Sequence, residues 1–305
     1  MMGETEIGHG KTNSPPTMSG AILVDKPSGI SSARAVAMVK RLLPKKTKVG
    51  HTGTLDPLAS GLLIIVVGKA TRLSRYVTDM EKSYAATARL GATSTTLDAE
   101  GDILELEAPI PTENSIRAAL PNFTGCIKQL PPMASAVKVG GERLYKLHRE
   151  GVEVEREERE VEIHAFDLVS MDESENEAAF HISCGSGTYV RSLASDLAES
   201  LGSGAYLTAL RRTAVGHFEA EKSASPENLD ESTIKNHIIP MTKMVSHLPA
   251  VEVGDEVAAS VANGRSMEVS EDMAGSFRVE GGGELLAVYE AGGGVARPEV
   301  VLCAS

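Results

Sequence analysis

The chain has 305 residues, 42% of them hydrophobic, enough for a sizeable core and, at roughly 100–200 residues per domain, for about two domains. Its longest apolar run, Leu62-Leu63-Ile64-Ile65-Val66-Val67, is strand-sized and excludes an apolar helix across a membrane. The formal charge of −12 argues against a polyanion partner only until its distribution is read: between Ser19 and Tyr76, Lys26, Arg34, Lys40, Arg41, Lys45, Lys46, Lys48, Lys69, Arg72 and Arg75 face only Asp25 and Asp56, a local +8 that leaves −20 for the rest. A basic block on an acidic chain is the footprint of a protein that grips a polyanion in one place, although a solvated row of lysines gives the same count.

In chain order, Met1 to Thr17 has no apolar stretch and carries Gly, Ser and two prolines, which reads as a flexible tail (1–18) and not as a signal peptide; a cytoplasmic protein is expected. Gly20 to Val24 predicts a strand, broken by the turn residues Asp25-Lys26-Pro27-Ser28-Gly29. Ser31 or Ser32 caps a helix whose Val36, Val39, Leu42 and Leu43 share one face and which Pro44 ends. After the basic loop Lys45 to Lys48, the Gly- and Thr-rich segment 50–61 leads into a buried-type strand at 62–67, a loop presented by a rigid element. Tyr84 to Leu90 and Ala178 to Cys184 predict further strands, and Val190 to Leu201 an amphipathic helix closed by Gly202. Gln129 to Gly151 reads as an irregular insertion and Val152 to Glu162 as an exposed edge strand. The first folded unit is placed at 19–249. A small β-rich module, with strands at Phe277 to Val279 and Leu285 to Tyr289, is placed at 250–305. The irregular interleaving favours an α+β fold with a mixed sheet.

The loop His51 to Gly61 holds the chemistry. An Asp before Pro in such a turn is commonly only a turn residue or helix cap. Asp56, however, lies in a strongly positive stretch that would keep it ionised as a nucleophile or base. Other classes fail on spacing. Gly61 and Gly68-Lys69-Ala70-Thr71 miss a phosphate-binding loop, no H-E-x-x-H occurs, the eight histidines are scattered, and Gly185-Ser186-Gly187 lacks the nucleophile elbow. Cys126, Cys184 and Cys303 have no metal or disulfide spacing. No second acid stands out near Asp56 for a glycosidase-type pair.

Six segments in order carry a resemblance. Gly50 to Leu63, reading G-H-T-G-T-L-D-P-L-A-S-G-L-L, resembles the signature loop of the TruB family of tRNA pseudouridine synthases. Asp25 to Gly29 resembles that family's K-P-x-G turn, and Lys82-Ser83-Tyr84 its K-x-Y strand. Gln129-Leu130-Pro131-Pro132 with Ser135-Ala136 and Lys138 resembles its RNA-gripping insertion; Gly187 to Leu193 resembles its G-T-Y-x-R motif, and Leu210-Arg211-Arg212 its L-R-R motif.

The resemblance implies isomerisation of uridine to pseudouridine at position 55 in the T loop of tRNA, without cofactor or metal, on a mixed-sheet catalytic domain followed by a PUA-like module. It implies Asp56 as nucleophile, attacking either the uracil ring or the sugar carbon. Tyr84 would stack on the flipped base and take a proton, Arg191 would pair with Asp56, and Tyr189 and Leu210 would wall the pocket. Lys26 would support it, and His51 would fill the stack that the uridine leaves. On bland grounds Tyr84, Tyr189 and Leu210 are core residues and Arg191 a helix-start charge. With five phenylalanines, six tyrosines and no tryptophan, single tyrosines must do any stacking, which suits one flipped base.

Two departures from the family's pattern, Ser94-Thr95-Thr96-Leu97-Asp98 and Leu147-His148-Arg149-Glu150-Gly151, are expected to leave the pocket untouched. From Ala250 onward three arginines stand against ten acids, which speaks against strong phosphate contact there. The expected partner is tRNA through its T stem-loop, the expected state a monomer. A non-catalytic tRNA-binding or folding chaperone on the same scaffold, which would not need Asp56, is the main alternative; a phosphotransferase using Lys69 and Thr71 is a weaker one.

Overall fold

A computed structural model describes residues 18–303 except Ala136, Tyr145, Lys146, His148, Arg149 and Glu153, so the expected tail, apart from Met18, and His148-Arg149 lie outside the described residues. Strands β1 (Gly20–Lys26), β2 (Val49–His51), β3 (Ser60–Val67), β4 (Lys82–Leu90), β5 (Ala92–Ser94), β6 (Ile103–Glu105), β7 (Gly125–Gln129), β8 (Lys138–Val139), β9 (Glu142–Arg143), β10 (Arg159–Asp172), β11 (Glu177–Cys184), β12 (Ala205–Val215), β13 (Phe218–Glu219) and β14 (Ile238–Ile239) alternate irregularly with helices α1 (Ser32–Arg41), α2 (Ser74–Thr78), α3 (Glu113–Ala119) and α4 (Val190–Ser200). Ten of these strands form one mixed sheet whose main path runs β14-β1-β3-β12-β4-β11-β10-β7, with β2 beside β3 and β13 beside β12. This is the α+β architecture with a mixed sheet that the sequence predicts.

The burial of β3 explains its unbroken apolar run. Leu63, Ile65 and Val67 enter one core, shared with Ala35 and Val39 of α1 and with Leu193 and Leu197 of α4. Leu62, Ile64 and Val66 enter a second core on the opposite face, shared with Leu73 and Val77. A strand covered on both faces has no position for a polar residue. By contrast β4 alternates: Tyr84, Ala86, Ala88 and Leu90 are buried while Ala85 is exposed. One half of the sheet is therefore sandwiched and the other covered on one side only. Helix α1 begins where Ser31 Oγ accepts the Arg34 N–H at 3.2 Å, and Lys40 and Arg41 occupy its last turn, where positive charge favours the helix dipole.

A second, five-stranded sheet begins at Ala250, in the order β15 (Ala250–Glu252), β17 (Gly275–Gly281), β18 (Glu284–Gly292), β19 (Val295–Val301), β16 (Met267–Glu268). Its Leu285, Val288 and Val300, with Leu302 just beyond β19, complete the second core on the back of β1 and β3. Polar groups reinforce the contact: Lys69 Nζ donates to the Leu302 carbonyl at 2.8 Å, Arg72 to the Val301 carbonyl, and the Tyr76 hydroxyl to Glu299 at 2.7 Å, with Arg75 paired to the same carboxylate.

Two expectations are corrected. Val152 to Glu162 is not an exposed edge strand: 154–158 is irregular, β10 starts at Arg159, and it lies inside the sheet because β7 pairs along Arg159 to Ile163 and takes the edge itself. The insertion is not wholly irregular, since Gln129 closes β7 and Lys138–Val139 pairs with Glu142–Arg143. No strand is expected at 205–215 from the sequence, yet β12 joins the two halves of the sheet, parallel to β3 through Arg211↔Ser60 and Arg212↔Gly61 and antiparallel to β4.

Candidate active site

The loop between β2 and β3 is pinned from three sides. Ser32, the first residue of α1, donates its hydroxyl to the Leu55 carbonyl at 2.9 Å and accepts the Leu55 N–H at 2.8 Å. The turn that follows β1, at 27–29, supplies the second hold, with Ser28 Oγ donating to the Leu58 carbonyl at 2.7 Å and the Gly29 N–H to Pro57 at 2.8 Å; Asp25 and Lys26, expected in the turn, still belong to β1. Lys26 is fully buried, and its Nζ donates to the carbonyls of Ile30 at 2.7 Å, Pro27 at 2.9 Å and Pro57 at 3.4 Å. Burial lowers its pKa to about 8, against the pull of Asp56. From the third side comes Arg212, 2% exposed, whose Nε donates to the Leu62 carbonyl at 2.7 Å and Nη2 to Gly53 at 3.1 Å. Gly61 lies at φ +97, and a Cβ there would collide with the Arg212 backbone, so only glycine lets β12 approach.

Asp56 lines a cavity of about 260 Å³ together with Tyr84, Tyr189, Arg191, Leu210 and Arg212. Its Oδ2 pairs with Arg191 Nη2 at 2.9 Å, the arginine side chain being 4% exposed and the aspartate 34%. An arginine in the first turn of a helix opposes the dipole, and here its guanidinium is held by other partners: the Thr96 carbonyl at 2.6 Å, the Ala134 carbonyl at 2.8 Å and Asp98 Oδ2 at 3.4 Å. The pKa of Asp56 nevertheless lies above the ordinary carboxylate value. Burial is the largest cause and Asp98 adds to it, while Arg191 and Lys26 oppose. The guanidinium moderates the rise and does not reverse it.

Asp98 is the second acid that the sequence did not disclose, and the expectation that the segment 94–98 leaves the pocket untouched is corrected. It is 2% exposed, accepts from Thr96 Oγ1 at 2.5 Å and from the Glu100 N–H at 3.1 Å, and reaches the cavity through Arg191. Burial depth, invisible in the sequence, hid it.

Tyr84 (8% exposed) and Leu210 (9%) stand in the cavity from neighbouring strands, and Tyr189 from the residue before α4. Burial pushes the Tyr84 phenol up, while Arg212, hydrogen-bonded to it, pulls the other way. Lys82, two residues along β4, also lines the cavity; burial lowers its pKa to about 8, and its ammonium is spent on the carbonyls of Thr78 and Met80. His51 stands apart, in a separate basic depression with Lys40, Lys46 and Lys48, where burial lowers its pKa and favours the neutral ring. Asp56, Tyr84, Tyr189, Arg191 and Leu210 are thus brought together, Lys26 braces the loop from behind, and His51 lies outside the cavity. Arg212 and Lys82 entered the sequence reading only as letters of motifs. Among the described residues no group of three or more His, Cys, Asp or Glu is placed to hold a metal ion, and no helix is long and apolar enough to cross a membrane.

Residues 40–190 match the family model of the TruB family pseudouridylate synthase N-terminal domain, and 191–246 that of the tRNA pseudouridylate synthase B C-terminal domain. A protein named tRNA pseudouridine synthase B from Azoarcus sp. (strain BH72) is 41% identical over 285 residues, 92% of this chain and 94% of that one. Another of that name from Thiobacillus denitrificans is 43% identical over 281 residues, 91% and 93% of the two chains. Among solved structures, a chain in the crystal structure of a Cbf5-Nop10-Gar1 complex superposes with a TM-score of 0.72 at 27% identity, covering 93% of this chain and 85% of that one. A chain of an archaeal box H/ACA sRNP Nop10-Cbf5 complex gives 0.70 at 25%, with 93% and 86% covered. The catalytic class is that of the pseudouridylate synthases. The chain belongs to the TruB family and is a tRNA pseudouridine synthase, an isomerase.

Proposed function

We propose that the enzyme isomerises the uridine at position 55 in the T loop of tRNA, with Asp56 as nucleophile. The observation that carries this reading is the Asp56 carboxylate in the lining of a cavity of about 260 Å³, paired at 2.9 Å with the buried Arg191 and accompanied by two tyrosines. A cavity of that size takes one nucleoside and no folded strand, so the target base must leave its stack to enter. Asp56 attacks the uracil ring or the sugar carbon, forming an O–C bond. The N1–C1′ bond breaks, the base turns, a C5–C1′ bond forms, and the bond to Asp56 breaks to return the carboxylate. The C5 proton leaves and N1 gains one, so atoms balance without a co-reactant. Tyr84 stacks on the base and takes the C5 proton, its phenol made more acidic by Arg212 than burial alone would leave it. Arg191 keeps Asp56 ionised, Tyr189 and Leu210 form the walls, Lys26 fixes the loop, and His51, neutral and half-buried, fills the vacated stack.

The RNA lies on the exposed side chains of Arg34, Lys40, Arg41, Lys45, Lys46 and Lys48, beside the His51 depression. The remaining positive residues of the basic block do other work: Lys26 is buried, and Lys69, Arg72 and Arg75 hold the second sheet. That sheet, PUA-like in this reading, belongs to a part of the chain with net −7 and contributes little to phosphate binding. The enzyme acts as a monomer on the T stem-loop. Conversion of a T-arm stem-loop, with pseudouridine mapped by chemical derivatisation and primer extension, tests the reading; a protein that binds this RNA and leaves its uridines unchanged would be the chaperone instead.

A further inference from the structure

The segment that opens the insertion is tied to the start of α4 at three points. Gln129, the last residue of β7 and 2% exposed, grips the main chain of Tyr189 with both ends of its amide: Nε2 donates to the Tyr189 carbonyl at 3.0 Å and Oε1 accepts the Tyr189 N–H at 2.7 Å. The Leu130 carbonyl accepts from Ser192 Oγ at 3.2 Å, and the Ala134 carbonyl from Arg191 at 2.8 Å. A carboxamide is the neutral side chain that offers a donor and an acceptor side by side, which a backbone N–H and C=O of one residue require. Tyr189 is the cap residue of α4 with an extended backbone (φ −104, ψ 106), and no side-chain hydrogen bond caps the helix there. Its direction is therefore fixed from β7. Gln129 itself does not line the cavity, whereas Tyr189 does.

We propose that Gln129 is a positioning residue for the isomerisation: it sets the Tyr189 wall of the cavity through the main chain of Tyr189. The inference rests on the reading of Tyr189 as a wall of the base pocket. It concerns the chemical step, because Gln129 is buried and its amide is bonded to the Tyr189 main chain.

Gln129→Met keeps the unbranched shape and removes both hydrogen bonds. For a T-arm stem-loop at a temperature well below the melting transition, kcat should fall about tenfold or more with KM within about twofold, the scale of a small misplacement of a positioned group. Added to Tyr189→Ala, Gln129→Met should cost little further, since a residue acting through another is not additive with its removal. Gln129→Glu, which keeps the acceptor for the Tyr189 N–H and loses the donor to its carbonyl, is the second variant and should lose kcat in the same direction. A residue of purely structural value would lower the melting temperature and leave the kcat of folded enzyme intact. That result, or full additivity with Tyr189→Ala, overturns the proposal. A wild-type kcat for Tyr189→Ala alone would instead overturn the reading of Tyr189, so the two failures are distinct.

Discussion

At the scale of single residues the site is a balance of burial against charge. On the proposed reading Asp56 attacks as a carboxylate, yet burial and Asp98 raise its pKa while Arg191 and Lys26 lower it. The wild-type rate should therefore fall as pH drops through a carboxyl titration placed above the ordinary range. Arg191→Met keeps much of the side-chain volume and removes the opposing charge, so the falling limb should move to higher pH, with a strong loss at pH 6 and partial recovery toward alkali. A kcat profile of the variant that superimposes on wild type would remove Arg191 as the partner of Asp56. The sequence made this pair legible only through its resemblance to a family, because residues 135 positions apart carry no local sign of meeting. It did not make Asp98 legible, since an acid at 2% exposure reads the same in sequence as one on the surface. Asp25 is a third case: it counts as a free negative charge in the basic block, yet Arg211 holds it with two bonds at 2.8 and 2.9 Å.

At the scale of elements, the Asp56 loop is held by a turn, a helix start and a strand, and the sequence marks two of these. The turn after β1 and the α1 start announce themselves by local chemistry, Pro27 and Gly29 in one case and a capping serine in the other. The third, β12, is not legible in the sequence because its register against β3 and β4 depends on residues more than a hundred positions away, and no local pattern marks it. The basic loop between α1 and β2 yields a separate test. Lys45, Lys46 and Lys48 are exposed. If they neutralise phosphates, changing all three to Ala should flatten the slope of log K against log salt by roughly 0.7–0.9 per lost contact, while kcat at saturating RNA stays near wild type. An unchanged slope would make them ordinary surface.

On the scale of the whole molecule, the two sheets share a core. Leu23, Leu62 and Ile64 of the large sheet are buried with Leu285, Val288, Val300 and Leu302 from the small sheet and the segment following it. Separating the sheets would expose that apolar surface to water. Thermal unfolding should accordingly be one transition, with coincident midpoints from calorimetry and from a probe on the small sheet; two resolved transitions would contradict a shared core. The uneven charge seen in the sequence has its structural counterpart here: three of the block's cations are spent on the second sheet, and the outward-facing ones run along α1 and the loop behind it.

Isomerisation through Asp56 is tested most directly by comparing wild type with Asp56→Asn on a T-arm stem-loop, mapping pseudouridine while measuring affinity for the same RNA. The substitution is nearly isosteric and removes the charge and the nucleophile together. Wild type should convert position 55, and Asp56→Asn should bind within a few-fold but turn over at less than about 1% of the wild-type rate, a loss of at least ~2.7 kcal/mol of transition-state stabilisation. Turnover by Asp56→Asn near the wild-type rate would contradict the account.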